Sequence, residues 1–201
     1  REDKGRMSEF SLKICVVGAC KSGKTFFCRA LADQPILQNE YNPTAAVRIQ
    51  EFARTLGVDR VKVQLWDCSG NVQYQPYWAL LAKDLDGIIM VIDPQKPEQE
   101  KELETLYMNF AQPHSLTIKQ CLTLAVQVQQ PNGGQLVAFN GLQGKLAKLN
   151  QAHISLNPAS PAAGIQDSLA PLDKLFMGCL VHKKDRAERQ VMNEEQQHGE
   201  E

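Results

Sequence analysis

The chain has 201 residues, 43% hydrophobic and 22% charged, the balance of one ordinary water-soluble domain with room for a tail. Lys+Arg 22 against Asp+Glu 23 gives a net charge of -1, which argues against a generally basic nucleic-acid binder but leaves room for a local patch. No apolar run approaches the roughly 18 residues that a membrane span needs.

Residues 1–10 are set aside as an N-terminal extension or as residues foreign to the natural chain. Arg1–Arg6 is charged, lacks the apolar core of a signal peptide and precedes Met7. Leu12 to Val17 is a short apolar run stopped by Gly18, which reads as a buried strand. Lys24 to Asp33 reads as a helix. Val47 to Leu56 and Arg60 to Trp66 are β-type runs joined by Gly57-Val58-Asp59, a hairpin signal that makes the pair antiparallel.

Gly87 to Ile92 is nearly continuous in apolar residues, as suits a strand covered on both faces. Pro97 then opens a helix from about Glu98 to Ala111, with Leu103, Leu106, Tyr107 and Phe110 on one face. Cys121 to Val128 is another strand. Residues 131–134 are a loop, Leu142 to Leu149 a helix, and Ala152 to Leu156 a last short strand. Residues 157–164 read as a loop. Leu169, Leu172, Phe176, Cys179 and Leu180 have helical spacing, with Pro171 tolerable only in the first turn. From His182 the chain turns polar and charged, so it is expected to be a solvated helix end running into a loose charged tail over 184–201.

The alternation implies an α/β three-layer sandwich around a mostly parallel, six-stranded sheet with one antiparallel strand. Among six cysteines there is no C-x-x-C and no His at metal-ligand spacing, so Cys15, Cys121 and the rest read as reduced thiols. The end of the sequence offers no cysteine for prenylation, so no direct membrane anchor is expected.

Gly18-Ala19-Cys20-Lys21-Ser22-Gly23-Lys24-Thr25 fits G-x-x-x-x-G-K-[ST] completely, after a strand and before a helix. Glycines let such a loop wrap a phosphate while backbone N–H groups form an anion nest, and the helix N-terminus adds partial positive charge. Lys24 reaches the terminal phosphates and Thr25 offers a hydroxyl to Mg2+. Asp67, at the end of the third strand, is where a Mg2+-organising carboxylate is needed. Gly70 can bring its N–H against a γ-phosphate.

With Tyr41-Asn42-Pro43-Thr44 and Trp66-Asp67-Cys68-Ser69-Gly70 in order, the chain resembles the Ras-like small GTPases over residues 11–183. The stretches 41–52, 65–70 and 77–87 are most similar to the Rab-like GTPase subunits of the intraflagellar transport B complex. The resemblance implies GTP or GDP as ligand and Mg2+ held by Thr25, Thr44 and Asp67. The nucleotide-contacting set it implies is Cys20, Lys21, Ser22, Gly23, Lys24, Thr25, Phe26, Tyr41, Thr44, Asp67, Gly70, Gln127 and Gln130. It implies coiled-coil subunits of that complex as partners, and a cytoplasmic location at the cilium or flagellum and its base.

Three positions depart from a working GTPase. The family's Asn-Lys-x-Asp base motif is replaced by Gln127-Val128-Gln129-Gln130. Losing two charge-assisted bonds to guanine would weaken binding by on the order of 10²–10⁴-fold. Ser155-Leu156-Asn157 is a possible remnant of the last base-contacting loop. Asn71 stands where many members have a water-orienting Gln, and it is the candidate catalytic residue. Cys20 stands where Gly is common and crowds the γ-phosphate side. Hydrolysis is therefore expected to be slow or absent. The leading expectation is a binding module that uses nucleotide and Mg2+ to order its switches for a partner. Tyr74, Tyr77 and Trp78 are candidate interface aromatics. The alternatives are a cycling GTPase and a nucleotide-free scaffold; a P-loop kinase lacks a recognisable lid.

Overall fold

The structure is a computed structural model, and it describes residues 10–34, 42–129 and 137–198. Six strands form one sheet: β1 Phe10–Val17, β2 Val47–Leu56, β3 Asp59–Cys68, β4 Gly87–Ile92, β5 Cys121–Val128 and β6 Asn150–Leu156. Their order is β2-β3-β1-β4-β5-β6. Among the described strands only β2 runs antiparallel, as the hairpin signal predicts; it pairs with β3 from Val47↔Cys68 to Leu56↔Asp59, so Asp59 belongs to the strand and not to the turn. Gly57 takes φ 62°, the left-handed conformation a tight hairpin requires. The three-layer sandwich expected from the sequence is thus the fold.

Among the described residues four α-helices cover the sheet: α1 Lys24–Leu31, α2 Trp78–Leu81, α3 Gln99–Phe110 and α4 Pro161–His198. On one face Leu12, Ile14 and Val16 of β1 and Val63 and Leu65 of β3 meet Phe27 of α1 and Leu172, Phe176 and Leu180 of α4. On the other, Cys15, Met90 and Ile92 meet Leu81 of α2 and Leu103 and Phe110 of α3. Burying both faces explains the unbroken apolar run of β4, where all six residues are buried.

Three elements differ from the sequence expectation. The helix expected over 142–149 is only a 3-10 turn, Gly144–Lys148. Gln151 Nε2 donates to the carbonyls of Leu146 and Ala147, at 3.3 and 3.4 Å, which competes with α-helical bonding there. The segment 157–164 is not a loop throughout. Asn157 closes a short turn through Ala159 N and Ser160 N, and α4 begins at Pro161, where a missing N–H is harmless. Gly164 packs so closely on β6 that a Cβ would collide with Ser155 O. Pro171 consequently lies in the interior of α4 rather than in its first turn.

The charged segment beyond His182 continues as helix to His198. Its first turn is pinned to the domain. Lys183 Nζ donates to Asp86 Oδ2 at 2.8 Å and Lys184 Nζ to Asp59 Oδ2 at 2.7 Å. Asp86 is buried and also accepts the backbone N–H of Lys13 at 2.9 Å. Arg54 Nε and Nη2 reach both oxygens of Asp173, which ties β2 to α4. No helix among the described residues is long and apolar enough to cross a membrane.

Candidate functional site

The loop between β1 and α1 sits at the C-terminal end of the parallel strands, where an open α/β sheet places ligands. Gly23 adopts φ 92° and precedes the first turn of α1, so the loop can fold back over the helix N-terminus. Lys21 is held at φ 60°, unusual for a residue with a Cβ. Ser22 is buried, and Phe26 packs half-buried against the α1–α4 core.

Lys24 is only 6% exposed and points into the loop. Its Nζ donates to Gly18 O at 2.8 Å and Ala19 O at 2.7 Å, with Ser22 Oγ at 3.5 Å. Burial pushes its ammonium below the ordinary lysine range, opposed chiefly by Asp67. An ammonium without full solvation, inside an anion nest, favours a negatively charged ligand.

Thr25, Thr44 and Asp67 come from three separate elements and meet. Thr25 Oγ1 donates to Asp67 Oδ2 at 2.7 Å. Thr44 Oγ1 lies 3.0 Å from Thr25 Oγ1 and 3.3 Å from the same carboxylate oxygen. Asp67 is fully buried, and its other oxygen, Oδ1, has no hydrogen-bond partner. Burial raises the Asp67 carboxyl above its ordinary range, only partly offset by the Thr25 hydroxyl, Lys24, Arg48 and Thr44. Arg48 is its neighbour across the β2–β3 ladder.

A lone buried carboxylate with one orphaned oxygen beside two hydroxyls is an oxygen-only donor set, which suits a hard cation. It fits Mg2+, which takes few protein ligands and completes its shell with phosphate and water. Among the described residues no cluster of three or more His, Cys, Asp or Glu could hold a metal on its own. A Mg2+ ion held here would complete its shell with water or phosphate oxygens.

Gly70 presses against the phosphate loop. A Cβ there would stand 2.6 Å from Cys20 N and 2.7 Å from Gly18 O. Ser69 N donates to Ala46 O at 2.8 Å, tying the Gly70 turn to the segment that carries Thr44. Cys20 is exposed on the same side.

Asn71 is engaged elsewhere. Its Oδ1 accepts from Gln73 N at 3.0 Å and caps the 3-10 turn Val72–Tyr77, while its own N–H donates to Ser69 Oγ. Gln127 is buried at the end of β5, and its Oε1 accepts from Val137 N at 3.0 Å. Gln129 Nε2 donates to Ser155 Oγ, and Asn157 Oδ1 accepts from Ala159 N. Tyr41 and Gln130 lie outside the described residues. Of the aromatics, Trp78 packs with its ring tilted against Phe110, centroids 5.7 Å apart, whereas Tyr77 is exposed; Tyr74 lies between. Trp66 is half-buried beneath Lys13 Nζ, 3.9 Å from its ring centre.

Sequence reasoning passed over Gln99 and Arg48. Gln99 is buried at the start of α3 and reaches the phosphate loop. Arg48 could have been found by pairing the hairpin residue by residue from Leu56 and Asp59, which sets it opposite Asp67.

Comparison with known proteins agrees with this geometry. The ADP-ribosylation factor family model matches residues 3–169. Intraflagellar transport protein 22 of Chlamydomonas reinhardtii is 58% identical over 193 residues, covering 95% of this chain and 100% of that protein. The Homo sapiens homolog of that protein is 31% identical, covering 90% of this chain and 97% of its own. A solved structure described as "T. brucei IFT22/74/81 GTP-bound crystal structure" superposes with TM-score 0.59 at 30% identity, over 72% of this chain and 83% of that one. Nucleotide loop, switch-like segments and sequence kinship converge, and the chain belongs to the ADP-ribosylation factor family of small GTPases, among the intraflagellar transport protein 22 relatives.

Proposed function

We propose that the chain is an atypical guanine-nucleotide-binding subunit of the intraflagellar transport machinery. It uses nucleotide and Mg2+ to order its switch segments for a partner, with slow or absent hydrolysis. The observation that carries this reading is the meeting of Thr25, Thr44 and Asp67 beside Lys24, with Asp67 Oδ1 left for a cation.

Lys24 would neutralise charge on the β- and γ-phosphates. Thr25 and Thr44 would ligate Mg2+, with Asp67 organising the shell; Gly23 and Gly70 would donate backbone N–H groups. When bound, the cation supplies charge neutralisation between the phosphates. Thr44 belongs to the segment that enters β2 and Gly70 to the turn that leaves β3, so a ligand gripping both fixes two loops at once. Asn71 caps the turn that follows, which supports a binding role over rapid turnover.

Kinship with intraflagellar transport protein 22 supports a place at the cilium or flagellum. The IFT22/74/81 structure supports partners within the transport B complex, and we assign coiled-coil subunits to that role. The test is titration of the purified chain with GTP, GDP and ATP, with and without Mg2+. Mg2+-dependent binding that favours guanine is expected. Equal binding of ATP overturns the guanine assignment, and no binding at all turns the chain into a nucleotide-free scaffold.

A further inference from the structure

The first three carbonyls of the phosphate loop each face a donor. Lys24 takes those of Gly18 and Ala19. The third, Cys20 O, faces the side-chain Nε2 of Gln99 at 3.5 Å. Gln99 is the first residue of α3 and 4% exposed. Its carboxamide is oriented from the other end, where Oε1 accepts the N–H of Asp93 at 3.0 Å. Asp93 is itself fixed: its carbonyl accepts from Lys96 N at 2.9 Å, its carboxylate from Gln95 N at 3.0 Å, and Lys96 Nζ pairs with it at 2.9 Å.

The peptide bond between Cys20 and Lys21 is planar and trans, so its C=O and N–H point in opposite directions. A donor that holds Cys20 O against α3 therefore sends the Lys21 N–H to the opposite side. Lys21 stays at φ 60°, a conformation a non-glycine residue leaves readily when nothing holds it. We propose that Gln99 is a positioning residue of the phosphate loop. Its carboxamide fixes the Cys20–Lys21 peptide plane so that the Lys21 N–H faces the bound phosphate. This rests on the reading that the loop holds a nucleotide.

The test compares the full chain with Gln99→Leu and Gln99→Glu. Gln99→Leu removes both bonds at similar volume. Gln99→Glu keeps the acceptor for Asp93 and removes only the donor to Cys20. Two quantities are read: release of a fluorescent GTP analogue in Mg2+, and amide hydrogen exchange of residues 18–24 in protein stripped of nucleotide. We expect release to be roughly two- to fivefold faster in both variants, the lower part of the range for one hydrogen bond, as a 3.5 Å contact warrants. Exchange over 18–24 should also accelerate, beyond any general loss of stability, with exchange of the β5 and β6 amides as in the parent chain. A merely structural role would accelerate exchange in all these elements alike and leave release as in the parent chain, which overturns the proposal. If Gln99→Leu does not fold, Gln99→Glu decides alone. If the parent chain binds no analogue, the nucleotide reading fails, and exchange decides this inference by itself. Faster exchange then upholds the Gln99 anchor, and unchanged exchange removes it.

Discussion

Replacing Asp67 by Asn should stabilise the stripped protein and abolish its response to Mg2+ and nucleotide. Asp67 is fully buried, and its Oδ1 has no partner. Burial outweighs the Thr25 hydroxyl and the nearby Lys24 and Arg48 charges, so its carboxyl is raised above the ordinary range. A raised folded-state value means the charged form is less welcome in the fold than in water, even with Lys24 beside it. The sign follows by linkage. Above the raised value the buried charge subtracts from stability. That penalty is relieved as pH falls through the raised value toward the ordinary carboxylate range.

Asn mimics the protonated acid, keeps an acceptor for Thr25 and Thr44, and removes the charge at every pH. The amide atom that takes the place of Oδ1 is as unpartnered as the oxygen was, so the gain is the charge alone: about 1.4 kcal/mol for each pKa unit by which the fold raises the carboxyl. In a domain of this size 1 kcal/mol moves the melting temperature by about 2–4 °C. Thermal unfolding in EDTA should therefore show Asp67→Asn several degrees above the parent near neutral pH, with the gap closing on acidification. In Mg2+ and GTP the order should reverse. A ligand at about a hundred times its Kd adds about 2.7 kcal/mol to the parent, and the variant without a metal-organising carboxylate should gain little of it. An Asp67→Asn protein that is less stable in EDTA, or that keeps the full response to Mg2+ and GTP, refutes the reasoning.

Lys24→Ala and Thr25→Asn should each abolish tight nucleotide binding in the same titration, and near-parental affinity in either would remove the site assignment. Asn71→Gln should not raise GTP turnover measured by phosphate release, because the native side chain caps the 3-10 turn through Gln73 N. Asn71→Ala should cost about 1 kcal/mol in urea unfolding, the usual worth of such a cap. Asp86→Ala should cost about 1–3 kcal/mol by the same method, mainly by stranding the Lys13 N–H. Lys183 and Arg186, a third and a half exposed, return to water at little cost.

Much of the site was legible because it is local. The phosphate loop is one run of eight residues, its glycines, Lys24 and Thr25 standing in fixed covalent order. The antiparallel hairpin followed from the turn signal at 57–59, but its register did not: Asp59 pairs with Leu56 instead of lying in the turn, and that one-residue difference is what sets Arg48 opposite Asp67. Gln99 was not legible. Its role depends on α3 starting beside the loop, and Cys20 lies 79 residues away in sequence. The role of Asn71 was open for a related reason: an Asn at the head of a turn can point outward or cap, and only the backbone of residues 72–74 decides.

Sequence by itself determined the alternation of strands and helices, the antiparallel hairpin, and the chemistry of phosphate and Mg2+ binding. These rest on spacing along the chain, where each residue type has a narrow range of uses. Tertiary structure decided the rest. Gly164 lets α4 start ten residues before Pro171, because its missing side chain matters only once β6 lies underneath. Asp59 and Asp86 pin the helix just beyond His182, while residues 185–193 stay exposed as a charged, solvated helix end. The meeting of Thr25, Thr44 and Asp67 depended on three elements arriving at one point, and the orphaned oxygen of Asp67 exists only because the fold has taken the water away.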